Sequence, residues 1–327
     1  MSATKIKAPA VKGFALAALL LASAGAAAQA YPQRVVKIIG AGFPGSSMEL
    51  SARAIAEPMS KAWGQPVIIE MRPGANSVIG ADAVAKSAPD GYTLLFVLTT
   101  FVQAPYLTTD MPYDPIKSFS PIGQTQIAPL WFAINAEIPA KNVKEFVALA
   151  KASPNKFSYA SPGQGSSPHL YAHILAQRSG VEMLHVPYKG LPPAVFDTVS
   201  GRTSGVFATI VDMGRFVEAG KLRILGVTGT TRSKLTPDVP TFQEAGFSGL
   251  DLVGWGGMLA PAGTPPAIVN RINASMNESL ALPEVANRLS SFGFEPTRGT
   301  PEAFGALIRR ELETWKQIAT SAGVKPE

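Results

Sequence analysis

Short apolar runs alternate with amphipathic stretches along most of the chain, and their spacing predicts alternating strands and helices. Val35–Ile39 is β-branched and apolar apart from Lys37, as a strand requires. Gly40–Ser47 follows, too rich in Gly and Pro for strand or helix, and Met48–Ala62 takes up a helical pattern. Gln65–Glu70 and Thr93–Leu98 are two further strands, with a short helix at Ile79–Lys86 between them. The almost wholly apolar Thr93–Leu98 fits a strand covered on both faces. This is one β-α-β-α-β half of a doubly wound α/β sheet, with right-handed crossovers expected. Phe119–Asn135 reads as one long strand interrupted at Ala128-Pro129, and Val143–Ala152 as a helix. A second β-α-β-α-β series follows, with strands at 157–160, 183–188, 205–210 and 222–228 and helices at 169–178, 192–199 and 213–219. One more strand is expected at 250–259. The last quarter is helical, opening at Thr264-Pro265, Pro283 and Thr300-Pro301-Glu302, where proline in the first turn and a Thr–Glu cap fit helix starts.

Each half contains one strand, small-residue loop and helix start in succession. In the first, the loop carries Gly42, Phe43, Pro44, Gly45, Ser46 and Ser47; in the second, Ser161, Gly163, Gln164, Gly165, Ser166 and Ser167. Such a loop aims free backbone N–H groups and the positive end of a helix dipole at one place, which binds anions. If the halves are separate lobes, the two loops face one another across a cleft. Thr99 and Thr100 end a strand at the same sheet edge and are either cleft hydroxyls or turn residues. Tyr188-Lys189-Gly190 also follows a strand; Lys189 either reaches a ligand carboxylate or is a solvated surface lysine. Trp131 and Trp255 are expected to pack at the lobe crossings.

The N-terminus changes the picture of the whole. Lys5, Lys7 and Lys12 precede an apolar run from Phe14 to Ala27, and Ala28-Gln29-Ala30 is an A-x-A cleavage site. This is a secretory signal peptide, 1–30, with cleavage expected after Ala30 and a soluble periplasmic product. Losing three lysines takes the net charge of the 327-residue chain from +6 to +3. The basic residues are scattered, without basic runs or interleaved aromatics, so no nucleic-acid partner is expected. There is no cysteine, which excludes disulfides, thiol nucleophiles and Cys-ligated metals. Of three histidines, His169 and His173 lie four apart on a predicted helix, but no third ligand accompanies them, and no metal is expected.

Two catalytic readings arise and fall short. Gly40-x-Gly42-x-x-Gly45 between a strand and a helix matches the dinucleotide fingerprint, with Glu70 placed for a ribose. An exported dinucleotide-binding oxidoreductase is therefore the alternative. Against it stand Pro44, which removes a donor beside the pyrophosphate position, the export signal, and the lack of a catalytic acid or base. Ser166-Ser167 near His169 suggests a nucleophile, yet no G-x-S-x-G elbow exists and the serines suit helix capping. No catalytic residue and no cofactor are expected.

Several stretches carry a family resemblance. They include Gly64-Gln65-Pro66-Val67, Arg72-Pro73-Gly74-Ala75, Ala88-Pro89-Asp90-Gly91-Tyr92-Thr93-Leu94, Val186-Pro187-Tyr188-Lys189-Gly190, Pro237-Asp238-Val239-Pro240-Thr241 and Ala260-Pro261-Ala262-Gly263-Thr264-Pro265. In this order they resemble the Bug-type periplasmic substrate-binding receptors of tripartite tricarboxylate transporters. The resemblance implies an α/β, two-lobed periplasmic-binding-protein (Venus-flytrap) fold, each lobe a β-sheet flanked by helices, without enzymatic activity. It implies a monomer that captures a small carboxylate and delivers it to membrane permease subunits; a ligand-sensing module for a membrane sensor kinase remains open. Expected boundaries are 31–124 plus 251–327 for lobe 1 and 125–250 for lobe 2. Carried over by motif, Gly45, Ser46 and Ser47 of one loop and Ser161, Gly163, Gly165, Ser166 and His169 of the other hold the carboxylate. Tyr188, Lys189 and Gly190 lie near its distal end. The opening loop departs from the family pattern P-[FW]-x-[AP]-G-G-x-[TS]-D: Ala41 and Gly42 replace the proline and the aromatic, and Ser46, Met48 and Glu49 replace Gly, Thr/Ser and Asp. Losing the aromatic at Gly42 makes room for a larger ligand, and Met48 makes the wall more apolar and adaptable.

Overall fold

The computed structural model describes residues 31–42, 44–324 and 326. The signal-peptide expectation and Phe43 lie outside the described residues.

The strands are β1 (Val36–Gly40), β2 (Val67–Met71), β3 (Thr93–Leu98), β4 (Phe119–Ala128), β5 (Trp131–Asn135), β6 (Ser158–Ser161), β7 (Leu184–Pro187), β8 (Gly205–Ala208), β9 (Leu222–Val227), β10 (Gly254–Pro261) and β11 (Glu295–Pro296). The helices are α1 (Ser47–Trp63), α2 (Val78–Ala85), α3 (Thr100–Gln103), α4 (Val143–Ala152), α5 (Ser167–Ser179), α6 (Leu191–Val199), α7 (Ile210–Glu218), α8 (Pro266–Ala281), α9 (Pro283–Ser291) and α10 (Pro301–Ser321). They assemble into two sheets, one ordered β11-β4-β10-β3-β1-β2 and the other β7-β6-β8-β5-β9. This is the two-lobed α/β fold that the sequence suggests.

β1 pairs in parallel with β2 and β3, as the first β-α-β-α-β reading requires. Two expectations need correction. Phe119–Asn135 is not one strand: β4 pairs with β10 in the first sheet, and β5 pairs with β8 and β9 in the second. Pro129, which cannot donate to a ladder, falls where the chain leaves one sheet for the other. Neither sheet is wholly parallel, because β10 runs antiparallel to β3 and β5 antiparallel to both β8 and β9.

α1 shows why the local structure forms. Ser46 caps it by accepting from Glu49 N–H, and Gly64 ends it in a left-handed conformation. Its buried positions Met48, Ala52, Ile55, Ala56, Met59 and Trp63 recur at helical spacing and face a cluster with Val36, Ile38, Leu94 and Phe96. α2 is held closer still. A Cβ on Gly80 would lie 2.9 Å from the Arg72 carbonyl oxygen and 3.0 Å from Ala41 Cα, so only glycine lets the helix dock there.

A second apolar cluster joins the sheets. It runs from Ile39 and Leu95 through Leu130, Tyr171, Trp255 and Trp315 to Phe132 and Phe207. Trp255 therefore packs at a crossing, as expected. Trp131 is buried within the second sheet's own cluster, its indole N–H donating to Thr236 Oγ1 at 2.7 Å.

Candidate ligand-binding site

At the C-terminal end of β1, the opening loop reaches α1 through Gly45, whose φ of +76° is the left-handed region glycine tolerates. The Gly45 N–H is not free: it donates to Glu49 Oε2 at 2.7 Å. Arg53 holds the other carboxylate oxygen, with Nε and Nη2 at 2.8 and 2.6 Å. The Gly45 N–H first, and then Arg53, keep the Glu49 carboxyl below the usual carboxylate range.

Gly42, Ser46, Ser47 and Thr100 come together on the wall of one cavity of about 420 Å³. Met48, Leu98, Asn76 and Ser77 complete much of the rest. Asn76 and Ser77 were missed in the sequence. Gly74-Ala75-Asn76-Ser77 turns left-handed throughout, with φ of 126°, 44°, 52° and 76°, and three of these residues are not glycine. Such strain clusters at functional sites. The Arg72-Pro73-Gly74 turn was legible, but nothing in Ala-Asn-Ser signals that conformation. Ser77 and Thr100 hydroxyls hydrogen-bond one another at 3.1 Å. Thr99 points elsewhere: its Oγ1 accepts from Trp255 N–H at 2.7 Å and donates to Trp255 O at 3.3 Å, pinning β3 to β10.

The second loop is internally closed. Gly163 N–H donates to Ser161 Oγ at 3.2 Å, Ser166 Oγ to Gly163 O at 2.6 Å, and Gly165 N–H to His169 Nδ1 at 3.0 Å. Ser161 is fully buried, with Oγ 2.7 Å from His185 Nε2. His185 was missed. The parallel register of β6 and β7 sets it opposite Tyr159, and Tyr159, His185 and His169 form a stack with centroids 5.0 and 4.0 Å apart. His169 thus braces the loop from beneath, and its sequence neighbour His173 is not its ring partner.

None of the second loop's residues lines the 420 Å³ cavity. They meet the first lobe just beyond Thr100. Gln103 Nε2 donates to Ser167 Oγ at 3.0 Å, and Leu107 packs where a Gly165 side chain would stand. Gln164 is exposed. Tyr188 N–H donates to Ser161 O at 2.9 Å, which sets Tyr188 beside the loop, and its hydroxyl donates to Asp197 Oδ2 at 2.7 Å. Lys189 is exposed, and Gly190, with φ of 110°, caps α6.

Burial first, then His185 and His173, push the His169 pKa down to about 4. A depressed base destabilises the fold on acidification, because the unfolded chain takes up the proton first. Unfolding free energy is therefore expected to fall as pH drops from 6.5 toward about 4. His169 contributes roughly 2 kcal/mol of that loss after allowance for screening by water. Urea denaturation at several pH values reads it. His169→Asn, which keeps an acceptor for Gly165 N–H, should flatten the slope, and an unchanged slope would contradict the assignment.

Two mixed α/β sheets, each ending in a loop and a helix N-terminus, define a two-lobed binding protein. The tripartite tricarboxylate transporter family receptor model matches residues 51–324, and the chain belongs to that family. It is 34% identical over 307 residues, 94% of this chain and 91% of the relative, to the UPF0065 protein of the tcbD-tcbE intergenic region of Pseudomonas sp. strain P51. Among solved structures it is similar to the periplasmic binding protein BugD, with 32% identity and a TM-score of 0.74 over 91% of this chain and 100% of that one. It is also similar to an R. palustris protein solved with adipate, with 29% identity and a TM-score of 0.77 over 91% and 100% of the chains. The family is one of receptors, not enzymes, and the dinucleotide fingerprint is incidental. Glu70, the would-be ribose acid, is bound instead by Lys37 and Arg72, each at 2.7 Å.

Proposed function

We propose that this chain is a periplasmic receptor that captures a small carboxylate between its lobes and delivers it to the membrane permease subunits of a tripartite tricarboxylate-type transporter. One observation carries the reading: the second sheet's loop and helix N-terminus meet the first lobe at the Gln103–Ser167 hydrogen bond, one helical turn beyond Thr100, which shares a cavity wall with Ser46 and Ser47. Ser46 and Ser47 on one side, with Gln164, Ser166 and Ser167 on the other, supply hydroxyls and backbone donors to the carboxylate. Ser161 and His169 act from beneath, holding the second loop in shape. The adipate-bound relative supports a carboxylate as ligand. The lobes are taken to divide at Pro129 and again between Thr228 and Val253. Export follows from the first 30 residues, removed after Ala30, and the receptor works as a monomer. Among the described residues, no helix is long and apolar enough to cross a membrane.

Ligand binding stabilises the closed arrangement, and closure is what the permease recognises. A thermal-shift series on residues 31–327 with succinate, malate, adipate, benzoate and NAD tests this. A ligand at about 100 times its dissociation constant stabilises by roughly 2.7 kcal/mol. At least one carboxylate is expected to raise Tm and NAD is not. A shift with NAD alone, or with nothing, would overturn the proposal.

A further inference from the structure

We propose that a cationic groove beside the second sheet, formed by α4, the end of α5 and the loop 246–248, docks an extended acidic segment of a protein partner. The groove lies away from the carboxylate site and stands without it; that the partner is the permease rests on the receptor reading above.

The sequence scatters its cations, and the fold gathers three of them. Lys144, Val147, Ala148 and Lys151 form one stripe of α4 at helical spacing. Arg178 and Ser179 at the end of α5, with Gly246-Phe247-Ser248, share with them a cavity of about 390 Å³. No carboxylate stands on its wall. Among the described residues, Lys144, Lys151 and Arg178 have no ion-pair partner. Acids on the flanking elements are few. Residues 141–156 carry Lys141, Lys144, Lys151 and Lys156 against Glu145 alone. Glu145 accepts from Lys141 N–H and Asn142 Nδ2 at the start of α4, each at 2.7 Å. α5 contains no acid. Glu244 is held by Arg232 at 3.0 Å, and Glu182 is exposed beyond the end of α5 and off the wall. Asp251 lines the adjoining cavity of about 380 Å³, where Arg310 balances it.

The layout suits an extended chain. Lys144 and Lys151 lie about 10 Å apart along the helix axis, the span of about three extended residues. Ala148, exposed between them, is small enough to leave that space open. Buried Val147 and half-buried Phe247 give it an apolar floor for side-chain stems. A compact anion would meet one end only. Ser179 makes an independent observation: it is 6% exposed, and its Oγ has no hydrogen-bond partner. A buried orphan hydroxyl is costly, and an acceptor brought into the groove satisfies it. The N–H groups of Gly180 and Val181 cap the last α5 carbonyls, so an incoming acid meets Arg178 and not open oxygens. Arg178 also ties the groove to ligand capture. It stands in the last turn of α5, about 16 Å from Ser167 in the first, and Ser167 touches Gln103 across the lobes.

Fluorescence anisotropy of a labelled octaglutamate peptide with residues 31–327 at low ionic strength tests the proposal. Saturable binding is expected, and Lys144→Gln/Lys151→Gln/Arg178→Gln is expected to weaken it at least tenfold. Ala148→Glu, which sets an acid between the two lysines at an exposed helix position, is expected to do the same at wild-type Tm. Lys234→Gln/Arg271→Gln/Arg298→Gln removes the same charge from exposed sites off the groove and is expected to leave affinity within threefold. No saturable binding by wild type, or equal loss in both triple variants, would overturn the inference. So would displacement of the peptide by orthophosphate at equal charge concentration, the mark of a compact-anion site. Groove-dependent binding to phosphatidylglycerol vesicles tighter than to the peptide would replace the protein partner with a membrane surface and overturn it too. None of these outcomes touches the carboxylate site, so the receptor reading is decided by the thermal shifts alone.

Discussion

Trp315→Ala is expected to lower the unfolding free energy by about 3–5 kcal/mol. Trp315 is 1% exposed and stands where the apolar cluster passes from one sheet to the other. Its ring meets Tyr171 edge-on, with centroids 5.9 Å apart, and its indole N–H donates to Glu311 Oε2 at 3.2 Å. Trp255 donates to the same oxygen at 2.6 Å. Glu311 is buried on α10, and burial raises its pKa while the two indole donors pull it back. Removing Trp315 opens a cavity and takes away one of these donors together. Tyr171 lies on α5, whose first turn carries Ser167, so the same change loosens the contact between the lobes. Trp315→Phe keeps the ring packing and should recover more than half of the loss. Urea denaturation measures both, and a loss below about 1 kcal/mol for the alanine variant would show that the cluster is not the joint between the sheets.

Ser47→Trp is expected to weaken carboxylate binding at least 100-fold, about 2.7 kcal/mol, with Tm almost unchanged. Ser47 is exposed at the first position of α1 and lines the cavity, so an indole there fills the ligand's space without entering the core. Ser167→Trp is expected to do the same from the other side. Ser167 opens α5, where Ser166 remains to cap the helix, and its hydroxyl touches Gln103 across the lobes. An indole at this point props the loops apart. Neither variant removes a residue from either apolar cluster, so a large fall in Tm would point to misplaced loops.

The parts of the fold that depend on local pattern were readable. β1 to β3 with α1 and α2 could be placed from apolar runs and Gly-Pro loops, because parallel strands are joined by helical crossovers and the loops punctuate strand and helix. The parting of β4 and β5 was not readable, since a proline between two apolar runs suits an interrupted strand as well as a crossing. The site divides in the same way. Ser46, Ser47, Ser166 and Ser167 announce themselves as helix-start residues. Thr99 looked equivalent to Thr100, yet the chain has already turned helical at Thr99, whose hydroxyl bonds the Trp255 backbone, and only Thr100 reaches the cavity. His185 lies 24 residues from Ser161 and arrives by strand register alone. Asn76 and Ser77 take a backbone conformation that their types seldom adopt.

In the proposed receptor, one carboxylate is held by both loops at once. Titrating a single carboxylate that binds wild type into Ser47→Trp and Ser167→Trp tests it most directly. Each variant alone, folded at wild-type Tm, is expected to lose binding at least 100-fold. Full affinity retained in either folded variant would place the ligand in one lobe only and contradict it.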